Sequence, residues 1–159
     1  MKREELVIKY SEYSNKEELP QTESKLLEEA RKAAMGAYAP YSGFKVGAAL
    51  LLDNGEIISA SNQENAAYPS GLCAERVAIF YAHARYPNAK VLELAVTAFF
   101  NGKELESPTY PCGACRQVIA ESEQRGKNPI RIIIGSKGVT QVVESTSALL
   151  PFVFDNLPR

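Results

Sequence analysis

The chain of 159 residues has no tryptophan, one histidine and three cysteines. Each scarcity excludes something. An odd set of cysteines (Cys73, Cys112 and Cys115) does not build a disulfide framework. The opening MKREELVIKYSEYS carries no long apolar leader, so a reducing cytoplasm is the expected compartment. Three thiols also cannot close a four-cysteine metal site within one chain. No apolar run reaches the roughly 18–20 residues that a membrane span requires. Charge of neither sign dominates: the formal net charge is -1 and the basic residues are scattered, which argues against a nucleic acid held by its phosphates. Internal repeats and low-complexity tracts are missing too. What is present is an ordinary globular composition, 45% hydrophobic and 23% charged, sized for one domain.

Residues 1–21 are polar and mixed apart from ELVIKY, and Pro20 closes them off. They read as an N-terminal arm or an added edge strand ahead of a domain over 22–159. From Thr22 to Ala39, apolar residues at Leu26, Leu27, Ala30, Ala33, Ala34 and Ala37 follow helical spacing, and Pro40 stops them. FKVGAALLLDNGEIISASN reads as a hairpin about Asn54-Gly55, a pair that tolerates positive φ at both positions. A second helix is expected from about Cys73 to Tyr86. VLELAVTAFF follows as a strand, and a third helix runs from PCGAC to about Gln124. IRIIIG and VTQVVE are the last two strands, with SALLP giving at most two helical turns. This order predicts an α/β fold, a layered five-stranded sheet with helices on its faces. The SKG turn is too short for a crossover, so the last two strands should pair antiparallel.

Three readings compete for the stretch YPCGACRQ at Tyr110–Gln117. A Cys-x-x-Cys pair at a helix start resembles a redox dithiol. Against that, no tryptophan precedes it, and no proline on a later strand is positioned to face it. The pair is alternatively half of a closed zinc site, but such sites take four protein ligands. His83 lies ten residues beyond Cys73 on the same helix, about 15 Å away, and reads as a helix-surface side chain. The third reading uses all three sulfurs. Zinc with three protein ligands and water in the fourth position is the catalytic arrangement. Its tetrahedral geometry, at about 2.3 Å per bond, sets the sulfurs about 3.7–3.8 Å apart, within reach of residues i and i+3 on one helix face. Two helix N-termini would then point at the metal and favour thiolates. Arg76 and Arg116, near the ligands in sequence, are candidates to compensate the excess negative charge. Glu75, two residues from a ligand, stands where a proton-shuttling general base and acid belongs.

C-A-E followed by P-C-x-x-C is the signature of the zinc-dependent nucleoside and nucleobase deaminases. PYSGFKVGAALL, SNQENAAYPSGLCAER and SPTYPCGACRQV closely resemble the small homotetrameric cytidine deaminases, over roughly residues 22–157. The resemblance implies a three-layer α-β-α fold with a five-stranded mixed sheet. It implies hydrolysis of cytidine and 2′-deoxycytidine to uridine and 2′-deoxyuridine with loss of ammonia, as in pyrimidine salvage. Cys73, Cys112 and Cys115 match the ligands of one zinc per subunit, and Glu75 matches the proton shuttle. Asn62 and Glu64 match residues that bind the ribose 3′-hydroxyl; without the resemblance, NQEN would read as a solvated loop. Phe44 and Phe154 match rings packed on the pyrimidine, with Phe154 reaching a neighbouring subunit's site. Ala74 matches a backbone contact to the base, while Ala66 and Tyr68 match positions completing a neighbour's pocket. The implied partners are a small nucleoside and three further copies of the chain, with no nucleic acid or membrane. A polynucleotide editor is disfavoured by the absence of a basic face and by the expected antiparallel last pair. A deaminase of a nucleoside-like antibiotic such as blasticidin S departs from NQEN. A redox protein would have no use for Cys73 and Glu75, and a non-catalytic zinc module lacks a fourth ligand.

Overall fold

Alternation along the central strands sorts the core into two faces. In a computed structural model, which describes residues 1–14 and 18–155, the longest strands are β2 (Phe44–Leu52) and β4 (Val91–Phe100). Ala48, Leu50, Leu94 and Val96 point to one side of the sheet and Ala49 and Ala95 to the other, as the period of two requires. Helix α1 (Gln21–Met35) covers the second side with Leu26, Leu27 and Ala30. Helices α2 (Ala74–Arg85) and α3 (Gly113–Gly126) cover the first with Ala78, Ile79, Ala82 and Ile119. The result is the three-layer α-β-α arrangement.

The sheet is mixed, and it has seven strands among the described residues rather than five. Beside β2 and β4 lie β3 (Ile57–Ser61), β6 (Arg131–Ile134) and β7 (Thr140–Val143), the expected set. The two additions are β1 (Ser11–Tyr13) at one edge and the two-residue β5 (Lys103–Glu104), folded back on β4. Both are too short for a hydrophobic period. The β4–β5 reversal rests on Asn101 and Gly102, whose φ angles are 50° and 74°. Spatial order is β1-β7-β6-β4-β2-β3. The β4–β6 pair is parallel and crosses over through α3, whereas β6 and β7 pair antiparallel across the SKG turn as expected.

Other boundaries moved for local reasons. Helix α1 ends at Gly36, short of Pro40, because Tyr38 leaves the helix to bridge Gln63. In the β2–β3 hairpin only Gly55 takes a positive φ, 85°, and the loop is longer than a two-residue turn, with the Leu52 N–H donating to the Glu56 carbonyl at 2.9 Å. SALLP contributes only a single 3-10 turn over Thr146–Ala148. The arm residues 15–17 and the C-terminal residues 156–159 of the expected domain lie outside the described set. No helix among the described residues is long and apolar enough to cross a membrane.

One contact fixes the sheet against α1. A Cβ on Gly47 would lie 1.9 Å from the Ala30 carbonyl oxygen and 2.6 Å from the Ala34 nitrogen. Only glycine lets the helix backbone come this close.

Candidate metal centre and active-site cleft

Helices α2 and α3 begin side by side, and their starts carry the cysteines. Cys73 caps α2 and Cys112 caps α3, both with extended backbone, while Cys115 lies one turn into α3 and is fully buried. The three sulfurs lie within 4.8 Å of one another. Cys73 Sγ is 3.8 Å from Cys112 Sγ, and Cys112 Sγ is 3.5 Å from Cys115 Sγ. These are close to the spacing that tetrahedral zinc imposes. Among the described residues this is the one group of three or more metal-binding side chains close enough to share an ion, and it is too far-reaching in sequence to arise from local turn geometry.

The electrostatics point the same way. Hydrogen bonding from Cys115, opposed by burial and aided by Arg76, pulls the Cys73 thiol down to about 5. Cys115, donating to that thiolate and buried beside Glu75, is held strongly protonated. Three adjacent sulfurs cannot all carry charge unless a cation lies among them. A soft divalent ion such as zinc fits that donor set, the separations and the two helix N-termini.

Glu75 sits in the first turn of α2, only 4% exposed, and its Oε2 has no hydrogen-bond partner. Burial, reinforced by the Cys73 thiolate, raises its pKa above the ordinary carboxylate range. Arg76 Nη2 donates to Cys73 Sγ at 3.5 Å, so one of the two arginines does meet a sulfur. Arg116 does something else: Nε donates to the Pro111 carbonyl at 2.8 Å and Nη1 to the Leu149 carbonyl at 2.7 Å. It ties the metal loop to the C-terminal segment.

A cleft of about 660 Å³ opens in front of Cys73, Cys112 and Glu75. Phe44, Asn62, Glu64 and Tyr68 line it, as do Arg76 and Val96. NQEN is not a free loop. Its backbone bridges Tyr38 on one side and Leu72 on the other, prolonging the sheet order past β3. Asn62 Oδ1 accepts from the Val46 N–H at 2.7 Å and Nδ2 donates to the Phe44 carbonyl at 2.9 Å, leaving one amide hydrogen over. Glu64 Oε2 accepts from the Tyr41 and Ser42 N–H groups at 2.9 and 3.2 Å, and Oε1 accepts from the Ser42 hydroxyl. These bonds, that of Ser42 foremost, lower the Glu64 pKa and keep it anionic.

Three expected contacts are not in this cleft. The Ala74 side chain is buried in the core, which leaves its backbone alone to face a ligand. Ala66 is exposed outside the cleft lining. Phe154 is 69% exposed, its backbone held by the Gln117 amide. Among the lining residues that went unread in the sequence are Tyr41 and Tyr110. Tyr41 stacks edge-on against Tyr68 with ring centroids 6.0 Å apart. Tyr110 stands two residues before a sulfur ligand candidate, a position that deserved reading as cleft wall. His83 is not on the open surface: it is half-buried between α2 and α3, 3.0 Å from the Ser122 hydroxyl.

A fold of this topology with a three-cysteine centre and an adjacent buried glutamate defines a metal-dependent hydrolytic enzyme class. Residues 20–127 match the family model described as the cytidine and deoxycytidylate deaminase zinc-binding region, and the chain belongs to that family. A cytidine deaminase of Sporosarcina psychrophila is 45% identical over 131 residues, covering 82% of this chain and 89% of that one. Another, from Halalkalibacterium halodurans, is 48% identical over 96 residues, 60% of this chain and 68% of the relative. The crystal structure of a cytidine deaminase from Burkholderia pseudomallei superposes with a TM-score of 0.70 at 36% identity, covering 86% of this chain and all of that one (100%).

Proposed function

We propose that this chain deaminates cytidine and 2′-deoxycytidine hydrolytically, giving uridine or 2′-deoxyuridine and ammonia. The observation that carries the reading is the juxtaposition at the cleft head: three sulfurs within 4.8 Å of one another, beside a buried carboxylate with an unpartnered oxygen. Cys73, Cys112 and Cys115 would hold zinc. Bound there, zinc would act as a Lewis acid that makes water a nucleophile near neutral pH. Glu75 does the proton work. It takes a proton from the attacking water and gives it to N3 of the cytosine as C4 becomes tetrahedral. It then takes the proton of the new C4 hydroxyl and gives it to the amine, so that the C4–N bond breaks, ammonia leaves and the C4 carbonyl of uridine forms. Burial raises the Glu75 pKa above that of an exposed carboxylate and so makes it the better proton acceptor.

The remaining residues bind and orient. The spare Asn62 hydrogen and the remaining lone pair of Glu64 are available to the ribose 3′-hydroxyl, and the bonds that immobilise both side chains keep them in place. Phe44 packs on the pyrimidine and the Ala74 backbone contacts its edge. The exposure of Phe154 and Ala66 outside the cleft supports a homotetramer in which they complete a neighbour's site, whereas Tyr68 lines its own chain's cleft. Arg76 offsets thiolate charge directly, while Arg116, expected to share that task, holds the metal loop through the Pro111 and Leu149 carbonyls. We assign the deaminase domain to residues 22–159, with 1–21 an added edge element, and a cytoplasmic location.

The test is direct. Purified protein given cytidine should release ammonia with the accompanying ultraviolet change, lose that activity to a zinc chelator, and regain it with added zinc. A zinc-loaded protein that releases no ammonia overturns the reading.

A further inference from the structure

We infer that strand β1 is a positioning element for the nucleoside cleft, acting on Tyr110 through Gln141. The inference rests on the deaminase reading but concerns Glu12 and Gln141, which lie outside the matched family region of residues 20–127, and their effect on Tyr110 within it. Strand β1 pairs with β7 in register, Glu12 opposite Gln141 and Tyr13 opposite Thr140. Alternation then splits the strand's side chains. Tyr13 packs into the core beneath α1, with Val142 and nearby Leu19, and anchors the strand. Glu12 and Gln141 turn to the opposite face, the one that carries α2, α3 and the sulfurs, as does Val143.

On that face the polar chain is continuous. Gln141 Nε2 donates to Glu12 Oε2 at 2.8 Å, and Gln141 Oε1 accepts from the Tyr110 hydroxyl. Tyr110 lines the cleft with Thr109, immediately before Pro111 and Cys112. The order of donors is set from the Glu12 end. An ionised carboxylate only accepts, so Gln141 must turn its amide nitrogen toward it and its carbonyl oxygen toward Tyr110. The phenol is thereby committed as donor and its ring held along the cleft wall. Without Glu12 the amide is free to flip, and Tyr110 loses the acceptor that fixes it. Since the hydroxyl is engaged away from the reacting atoms, the effect belongs to nucleoside binding rather than to proton transfer.

The experiment compares full-length Glu12→Ala, Glu12→Gln, Tyr110→Phe and the Glu12→Ala/Tyr110→Phe double variant with the unmodified enzyme, on cytidine. Glu12→Ala should raise KM about 3–10-fold, the range one exchanged hydrogen bond supports, with kcat within about twofold. Glu12→Gln, which keeps an acceptor oxygen, should recover most of the loss. The double variant should be no worse than the worse single one, because both break the same chain. An unchanged KM in Glu12→Ala overturns the inference. So does additivity in the double variant, or a KM rise that follows a fall in thermal midpoint and is not rescued by Gln. If the unmodified protein releases no ammonia, the deaminase reading falls and takes this role with it; a working enzyme indifferent to Glu12 overturns only the role of β1.

Discussion

Glu75 is a carboxylate kept almost out of water with one oxygen unsatisfied. Left without a partner that oxygen would cost about 1–3 kcal/mol, a cost that a water or ligand in the cleft would relieve. Glu75→Gln preserves shape and burial but cannot carry a proton. It should lower kcat by about 10²–10⁴-fold while bound zinc stays at one per chain, read by turnover and metal analysis on the same sample. Near-normal turnover would remove Glu75 from the mechanism. At this scale the sequence was most informative about the metal: CAE and PCGAC fix both what the side chains are and how far apart they lie on their helices. It was least informative where one side chain's meaning depends on a distant partner. His83 reads as surface until Ser122 is brought against it, and Arg116 reads as a charge compensator until Leu149 offers its carbonyl.

Among the elements, the packing of α1 on the sheet and of α2 on α3 carry separate tests. Gly47→Ala forces a methyl against backbone atoms of α1 that cannot rotate away. The helix must lift, and overpacking of this kind costs about 1–3 kcal/mol, which a urea unfolding curve should show as an earlier midpoint. His83 probes the other interface. Burial, with Arg125 adding a smaller repulsion, lowers its pKa below 6.5. The folded state therefore favours the neutral ring, so this contribution is present above the unfolded pKa and is lost as pH falls through the folded one. Between about pH 7.5 and 5.5, His83→Gln should lose less stability than the unmodified chain. An identical acid slope would contradict this. The long elements were legible because their periods are long: VLELAVTAFF became β4 residue for residue. Strand β5 was not, and for β1 an added edge strand within residues 1–21 was one of two readings but its place at Ser11–Tyr13 was not foreseen. Two or three residues carry no period and owe their pairing to neighbours remote in sequence. The end of α1 was misjudged for a similar reason, as Tyr38 answers to Gln63 and not to its own helix.

For the whole molecule, the proposed homotetramer has its own test in Phe154, which is 69% exposed and would reach a neighbour's site. If a partner supplies that ring, Phe154→Ala tetramers should bind cytidine poorly although each keeps its metal centre. Mixing them, after dissociation and reassembly, with Glu75→Gln chains should restore activity, because some sites then combine an intact Glu75 with a neighbour's intact Phe154. No recovery in verified mixed tetramers would contradict the shared site. The central claim is narrower: three sulfurs of one chain hold zinc, and the adjacent acid stays off the metal. Zinc-edge X-ray absorption measures it most directly. The account predicts three sulfur scatterers at about 2.3 Å and one lighter atom, with a spectrum unchanged in Glu75→Gln. Four sulfurs, fewer than three, or a first shell that shifts when Glu75 is replaced would contradict it.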